Sequence, residues 1–304
     1  MELHNDDKPI GRVLSRREVM KIMGGASALL IGGISWTRLV FAQDTTATPE
    51  ATEAVASCVV RPAETEGPYF VDEMLNRFDI RVDPSDNSVK DGIPLHLQLR
   101  VMQIDSDTCT PLPGAQVDIW HCDALGSYSD VSDPGFQTTG QKWLRGYQVT
   151  DDMGVADFMT IYPGWYSGRT VHIHFKIRTD PTSETAYEFT SQLFFDDILS
   201  DTLFQQEPYA SNPKGSVHDT PNSRDGIYDS QLLMTLSETK AADLAATYTT
   251  LAASAQISTE ATAEAASQAI SRDGYTAIFD IALDLSAVQT AVGGPMVETP
   301  TTSG

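Results

Sequence analysis

The chain has 304 residues, and its 42 Asp and Glu side chains outnumber its 20 Lys and Arg side chains, which gives a formal net charge of −22 at pH 7. A chain this acidic should repel phosphate backbones and anionic lipid surfaces, which excludes nucleic acid as a binding partner. The length and the apolar fraction of 41% are sufficient for one domain with its own core.

Residues 1–42 have the pattern of a twin-arginine export signal. Arg16 and Arg17 lie in a Ser-Arg-Arg-Glu-Val-Met-Lys stretch, an apolar run continues through Trp36, and Val40–Ala42 is a small-residue cleavage site. The run is short and glycine-rich for a spanning helix, so a membrane anchor is only the alternative, and none is expected after cleavage. Residues 43–57 are mostly Ala, Thr, Glu and Pro and are predicted to form a flexible linker. The pattern predicts an extracellular, periplasmic or cell-surface protein.

Three cysteines lie beyond the export signal, at Cys58, Cys109 and Cys122. Outside the cytoplasm, an odd number of cysteines predicts one disulfide and one free thiol. Cys58 with Cys109 is the preferred pair, because Cys122 is only six residues from Tyr128. Three buried thiols are the alternative.

From residue 58 onward, short apolar stretches alternate with turns rich in Gly, Pro and Asp. Strands are predicted at Leu95–Val101, Ala115–Trp120, Arg145–Thr150, Val155–Ile161 and Phe189–Phe195. The first two should pair as an antiparallel hairpin across the turn-rich segment 105–114. Many short strands joined by such turns predict an all-β fold, an antiparallel β-sandwich over residues 58–291.

Segment 171–178 alternates between apolar and polar side chains. The apolar residues at 171, 173, 175 and 177 are predicted to face the core, while His172 and His174 project side by side from the other face. Neutral imidazole is the commonest metal ligand, so this spacing predicts a metal site. The alternative is two solvent-facing histidines on an exposed strand.

Two tyrosines extend this candidate ligand set. Tyr166 lies six residues before His172, after a Pro-Gly turn, and Tyr128 follows the segment Trp120–Asp123. A phenolate is a hard anionic oxygen donor that suits Fe(III), and two phenolates, two neutral imidazoles and one hydroxide would neutralise a 3+ ion. Zn(II) prefers Cys, His or carboxylate ligands, and no suitable third histidine is apparent. For each tyrosine alone, the alternative is a core residue.

The C-terminal part predicts two more strands with an insertion between them. The strands are predicted at Leu232–Leu236 and Tyr275–Leu283, and residues 237–271 between them are rich in Ala, Thr, Ser and Glu. This insertion is compatible with helix and is predicted to be a solvated excursion that interrupts a hairpin and takes no part in the chemistry. Residues 292–304 are rich in Gly, Pro and Thr and are predicted to be disordered.

Three of these motifs together resemble the intradiol ring-cleavage dioxygenases, the family of the protocatechuate, catechol and hydroxyquinol dioxygenases. The motifs are Trp120–Ala124 with Gly126–Tyr128, Pro163–Tyr166, and Arg169–Phe175. The resemblance runs from about Cys58 to Leu236 and resumes near Gly274. It implies the β-sandwich of that family, one Fe(III) per chain, and cleavage of a catechol by O2 between its two hydroxyls to a cis,cis-muconate-type product.

The resemblance also implies roles for individual residues. The implied metal ligands are Tyr128, Tyr166, His172 and His174. The implied catalytic residues are Tyr166, which would dissociate and accept a substrate proton, Arg169, which would stabilise the anionic substrate, and Gln192, which would hydrogen-bond near it. The implied pocket residues are Thr65, Gly67 and Tyr69, in the irregular segment 62–70. The choice of catechol and the oligomeric state, including a homo-oligomer, stay open.

Two other functions are the alternatives. One is a zinc hydrolase, in which the histidine pair would bind the metal together with a carboxylate such as Asp123. The other is a non-catalytic exported β-sandwich, which would bind carbohydrate through Trp120, Trp143 and Trp165.

Overall fold

A computed structural model of the chain describes residues 58–105, 108–183, 186–255 and 270–286. The predicted export signal (1–42), linker (43–57) and tail (292–304), and residues 256–269 of the insertion, lie outside these ranges. Within the described ranges, no helix combines the length and the apolar character that crossing a membrane would require.

The described residues form two β-sheets that enclose a shared core, together with a two-stranded ribbon and two α-helices. In chain order the strands are β1 (Pro94–Asp105), β2 (Thr108–Pro111), β3 (Gln116–Trp120), β4 (Ser132–Asp133), β5 (Phe136–Gln137), β6 (Arg145–Val149), β7 (Val155–Ile161), β8 (His172–Arg178), β9 (Glu188–Phe194), β10 (Leu236–Thr239) and β11 (Gly274–Asp284). The helices are α1 (Asp197–Leu203) and α2 (Ala241–Ser254). One sheet contains β10, β11, β1, β2 and β7, and the other has the order β6-β3-β8-β9. The predicted β-sandwich is therefore confirmed.

Strand β1 organises the larger sheet. Its alternating residues Leu95, Leu97, Leu99 and Val101 are fully buried in the core. One edge of β1 pairs in parallel with β11, and the other edge pairs antiparallel first with β7 and then with β2. The parallel β1–β11 pair is the departure from a purely antiparallel sandwich.

The predicted hairpin between Leu95–Val101 and Ala115–Trp120 is wrong. Strand β1 turns back into the short strand β2, and the chain then crosses to the other sheet, where β3 pairs with β6 and β8. Every residue of β3 is buried. A strand buried on both faces is favoured in the middle of a covered sheet, so β3 lies between two neighbours rather than beside β1.

The strand predicted at Leu232–Leu236 is also wrong in its position. The Asp229 side chain caps a 3₁₀ turn over residues 230–232, and Leu232 fills the core from that turn. The strand in this region, β10, begins at Leu236 and pairs antiparallel with β11. The prediction that the insertion interrupts a hairpin is therefore confirmed.

Strand β8 lies in the middle of the smaller sheet, between β3 and β9. Its register places Trp120 on one side of His174 and Gln192 on the other. The apolar residues at 171, 173, 175 and 177 lie in the core, as predicted. The opposite face is covered as well, because His172 is 2% exposed and His174 is 1% exposed. The alternative of two solvent-facing histidines is therefore excluded.

An N-terminal strap, defined as residues 58–73, covers this second face. The strap begins at a disulfide between Cys58 and Cys109, which confirms the preferred pairing, and Cys122 is a buried free thiol. Farther along, the Phe70 ring packs on Trp120 at 4.8 Å between centroids. The strap therefore turns the polar face of β8 into an enclosed site.

Helix α2 docks the insertion onto the larger sheet. Its buried residues Leu244 and Tyr248 pack with Phe78 and Met159, and the Phe78 and Tyr248 rings are 5.1 Å apart. Helix within the insertion is therefore confirmed, but the prediction of a solvated excursion is wrong for this part. Two large side chains one helical turn apart supply the apolar contact that composition alone does not reveal.

Replacing Leu244 with alanine is expected to lower the free energy of unfolding by about 2–5 kcal/mol, because the substitution leaves a cavity under α2. Urea denaturation measures the change. The control is Thr250→Ala on the exposed side of the same helix, which is expected to stay within about 0.5 kcal/mol. Equal effects of the two substitutions would contradict the docking of α2.

Candidate metal centre

A compact turn after β3 holds Tyr128. The Asp123 carboxylate accepts hydrogen bonds from the backbone amides of Leu125 and Ser127, both at 3.0 Å, and pairs with Lys90 Nζ at 3.0 Å. An aspartate that satisfies nearby amides in this way stabilises a tight turn. The turn fixes the direction of the chain as it reaches Tyr128, which is 1% exposed.

The two tyrosine-bearing segments pack backbone against backbone. Gly126 has a φ of +83°, and a Cβ at this position would lie 2.1 Å from the carbonyl oxygen of Trp165. A Cβ on Gly164 would lie 2.5 Å from two carbonyl oxygens of the Asp123 turn. Only glycine permits so close an approach. The approach brings the rings of Tyr128 and Tyr166 to 5.8 Å.

The four predicted ligand groups converge on one point. The Nε2 atom of His172 is 3.0 Å from His174 Nε2, 3.2 Å from Tyr166 Oη and 3.4 Å from Tyr128 Oη. The four side chains come from three segments: the turn after β3, the loop before β8, and β8 itself. The structure therefore brings together residues that are up to 46 positions apart in the chain.

Burial determines the protonation states at this centre. Burial, followed by the nearby charge of Arg169, lowers the pKa of His172 to about 3. Burial also holds the pKa of His174 well below its usual value, and it raises the pKa of Tyr128 and of Tyr166. Both imidazoles are therefore neutral at pH 7, and a phenolate is favourable here only beside a cation.

The hydrogen bonds of the histidines test whether these groups suit a metal ion. His172 Nδ1 lies 2.6 Å from the carbonyl oxygen of Thr170. A carbonyl oxygen only accepts, so Nδ1 carries the proton and Nε2 presents a lone pair to the other three groups. A histidine that donates its other ring N–H to a carbonyl is typical of metal ligands. The donor set therefore fits a metal ion that accepts both oxygen and nitrogen ligands.

Among the described residues, His174 lacks the second hydrogen bond that His172 makes. The His174 ring stacks on Trp120 at 5.0 Å with an interplanar angle of 7°, and in the described part of the chain its buried Nδ1 atom has no hydrogen-bond partner. Residues 58–105, 108–183, 186–255 and 270–286 contain no group of three or more His, Cys, Asp or Glu side chains suited to a metal ion. The candidate metal site is instead the mixed set of two phenols and two imidazoles that converge at His172 Nε2.

The centre has a buried side and a side nearer to solvent. Tyr128 and both histidines are buried, whereas Tyr166 is half-buried and is followed by the exposed residues Ser167 and Gly168. A substrate that enters from solvent would therefore meet Tyr166 before it meets Tyr128.

The three predicted pocket residues all lie beside the centre. The Thr65 carbonyl oxygen accepts a hydrogen bond from Gln192 Nε2 at 2.9 Å. A Cβ on Gly67 would be 3.1 Å from His174 Cε1, so the strap backbone packs directly on that imidazole. The Tyr69 ring stacks on Tyr128 at 4.5 Å. Burial and a hydrogen bond to Asp133 raise the pKa of Tyr69 to about 12.

Arg169 and Gln192, two of the three predicted catalytic residues, contact each other. Arg169 Nη2 donates to Gln192 Oε1 at 2.5 Å, and Arg169 Nε donates to Asp225 Oδ2 at 2.9 Å. Although burial opposes it, the charge of Arg169 together with backbone amides holds the pKa of Asp225 below its ordinary value. The sequence gives no signal for Asp225, because it lies in a turn-rich segment 56 residues after Arg169.

The geometry argues against both alternative functions. Asp123, the carboxylate considered for a zinc site, is occupied by two backbone amides and Lys90. The tryptophans considered for carbohydrate binding are all buried, with exposures of 1%, 2% and 3% for Trp120, Trp143 and Trp165. Buried indole rings cannot form a platform for a sugar.

Comparison with known proteins gives a consistent result. A family model described as Dioxygenase matches residues 65–229, more than half of the chain and a range that includes every candidate site residue named above. The chain is 26% identical over 182 residues to catechol 1,2-dioxygenase 1 of Acinetobacter lwoffii, a match that covers 51% of this chain and 55% of that protein. It is 28% identical over 158 residues to a chlorocatechol 1,2-dioxygenase of Pseudomonas putida, covering 43% and 55%. The chain thus spans about half the length of the curated relatives it matches.

A solved structure resembles the fold over a longer range. An intradiol ring-cleavage dioxygenase from Tetranychus urticae superimposes with a TM-score of 0.54 at 26% sequence identity. The superposition covers 75% of this chain and 95% of that one. The described sandwich therefore corresponds to nearly the whole of that protein.

Proposed function

Because the chain belongs to the intradiol ring-cleavage dioxygenase family, we propose that it is a non-haem Fe(III) enzyme that cleaves a catechol with O2. Cleavage between the two hydroxyl-bearing carbons would give a cis,cis-muconate-type product that retains both oxygen atoms of O2. The observation that carries the proposal is the convergence of the His174 imidazole and two phenol groups within 3.4 Å of His172 Nε2.

Tyr128, Tyr166, His172 and His174 would hold the iron. When bound, Fe(III) would supply Lewis acidity, which lowers the pKa of the catechol hydroxyls and activates the substrate towards O2. Two phenolates would offset two of the three charges of a hard trivalent cation, and their anionic oxygens and the two neutral imidazoles suit Fe(III) in ligand type. The low pKa of both histidines keeps their lone pairs free of protons at neutral pH.

Tyr166 is the ligand best placed to exchange with the substrate. It is half-buried beside exposed residues, whereas Tyr128 is enclosed under Tyr69. Burial raises the pKa of Tyr166, so the phenolate, once separated from a cation, would bind a proton strongly. Tyr166 Oη would therefore hold a proton from the catechol, while Tyr128 and the histidines keep their positions.

Arg169 and Gln192 would act on the anionic substrate. Two nitrogens of the guanidinium group are fixed by Asp225 and Gln192. Among the described residues no partner is found for the third nitrogen, Nη1, which is left to donate to the substrate. A fixed donor of this kind stabilises negative charge that develops during reaction.

An oxygen-uptake assay across catechol, protocatechuate and hydroxyquinol tests the proposal. Iron-loaded protein is expected to consume O2 with at least one of the three and to release a ring-opened diacid. Resorcinol is the control, because its hydroxyls are not adjacent and it should not be consumed. Absence of uptake with all three substrates would contradict the proposed function.

We also propose that the protein is exported through the twin-arginine pathway, on the support of the sequence pattern around Arg16 and Arg17. The double substitution of both arginines by lysine is expected to keep the precursor in the cytoplasm, because the pathway reads the arginine pair. Cell fractionation with immunodetection measures the distribution. Unchanged export of the double variant would contradict the assignment.

A further inference from the structure

We propose that Asp225 is a positioning residue, which holds Arg169 and the adjoining backbone in the arrangement that the reaction needs. This inference rests on the proposed dioxygenase function and extends it to a residue outside the ligand set and the substrate pocket. It is carried by the contacts of one enclosed carboxylate with two consecutive residues just before β8.

The two oxygens of Asp225 divide their contacts between two stretches of chain. Oδ2 accepts hydrogen bonds from Arg169 Nε at 2.9 Å and from the Thr170 amide at 2.8 Å. Oδ1 accepts from the Ile227 amide at 2.7 Å, which fixes the carboxylate to its own turn. The Asp225 side chain is 1% exposed and that of Arg169 is 17% exposed. Charge-assisted bonds of this geometry are stronger and more directional than neutral ones.

The turn that carries Asp225 is itself anchored to the neighbouring strands. Asn222 Nδ2 donates to the carbonyl oxygen of Phe195 at 2.8 Å. The Thr170 hydroxyl donates to Asn222 Oδ1 at 2.6 Å. The Asp225 carboxylate is thus a fixed point to which Arg169 is attached, rather than a mobile side chain that follows the arginine.

The Arg169 guanidinium is held from two directions. Asp225 takes Nε, and Gln192 takes Nη2 at 2.5 Å, while Gln192 is in turn bonded to the Thr65 carbonyl at 2.9 Å. A planar guanidinium fixed at two nitrogens has a determined orientation for the third. Asp225 therefore decides where Nη1 points.

Asp225 also acts on the backbone that orients a metal ligand. The Thr170 amide is bonded to Asp225, and the Thr170 carbonyl accepts the proton of His172 Nδ1 at 2.6 Å. The same carboxylate thus supports the electrostatic group and the carbonyl that sets the imidazole tautomer. Such outer-shell groups typically contribute about 10- to 100-fold to activity.

A double-mutant cycle tests whether Asp225 acts through Arg169. The variants are Asp225→Asn, Arg169→Ala and the double substitution, all measured as turnover per bound iron of whichever of catechol, protocatechuate and hydroxyquinol the wild type consumes. Asp225→Asn is expected to lower kcat by about 10- to 100-fold, with bound iron and visible absorption retained. In the Arg169→Ala background, the same substitution is expected to lower kcat by a clearly smaller factor, because only the hydrogen bond to the Thr170 amide is then left to disturb.

The result that would contradict the inference is an additive effect of the two substitutions on turnover. If Asp225→Asn lowers turnover by the same factor with and without Arg169, Asp225 does not act through Arg169 and the inference fails. If Asp225→Asn does not accumulate as folded protein, Asp225→Glu takes its place in the cycle, since glutamate keeps the charge but displaces the carboxylate by one methylene. An inactive wild type would overturn the proposed function, whereas an active wild type with an additive cycle overturns only the role of Asp225.

Discussion

Arg169→Ala is expected to retain bound iron and visible colour while turnover of catechol falls on the order of a hundredfold or more. A guanidinium group cannot ligate a cation, so its removal leaves the ligand set intact. What is lost is the fixed positive charge beside the developing substrate anion. Steady-state kinetics per bound iron, with absorption spectra recorded before and after anaerobic addition of substrate, measure both properties.

The substrate-induced colour change is expected to survive in Arg169→Ala, because the colour depends on the metal ligands, which this substitution leaves in place. The variant should also unfold at a lower urea concentration, since the Asp225 carboxylate would lose its partner inside the protein. Arg100→Ala is the matched control: it also removes an arginine from an ion pair, with Asp280 in the other sheet, but it should leave turnover unchanged. Turnover of Arg169→Ala at the wild-type rate would remove Arg169 from the mechanism.

His172→Ala and His174→Ala are each expected to lower the affinity for iron by more than the roughly 10- to 100-fold that the loss of an outer-shell group costs. Each substitution removes a neutral imidazole that points at the centre, and no neighbour on that face of β8 can replace it. Tyr128 and Tyr166 would remain, but two phenols of raised pKa lose protons less readily beside a weakly held cation. Iron content after dialysis against a chelator measures the effect.

The control for the histidine variants is His96→Gln. His96 lies in β1 of the other sheet and bonds to Asp157 at 2.7 Å, away from the candidate ligands. The His96→Gln variant is expected to retain as much iron as the wild type. Wild-type iron content in both His172→Ala and His174→Ala would contradict the ligand assignment.

The local part of the site could be predicted from the sequence because it depends on one strand. Period-two alternation in β8 is enough to place His172 and His174 on one face and the apolar residues on the other. The sequence of β8 does not indicate which segments of the chain cover its polar face. The exposure of 1–2% at both histidines depends on side chains from other segments, such as Trp120 on His174 and Tyr166 on His172, and on the strap backbone at Gly67, which packs on His174.

The long-range part could not be predicted in the same way. The mistaken pairing of Leu95–Val101 with Ala115–Trp120 followed from their closeness in sequence, whereas burial on both faces places β3 in the other sheet. Likewise, the contact between Asp225 and Arg169 joins a loop to a turn that share no periodic pattern. Such contacts are set by tertiary packing, and the spacing of residues along the chain does not predict them.

Metal analysis of natively produced protein, combined with its visible spectrum, tests the central claim most directly. The account predicts about one iron per chain and a broad visible band from phenolate coordinated to Fe(III), which Tyr128→Phe shifts or weakens. Stoichiometric zinc without iron, in a colourless and folded protein, would contradict it.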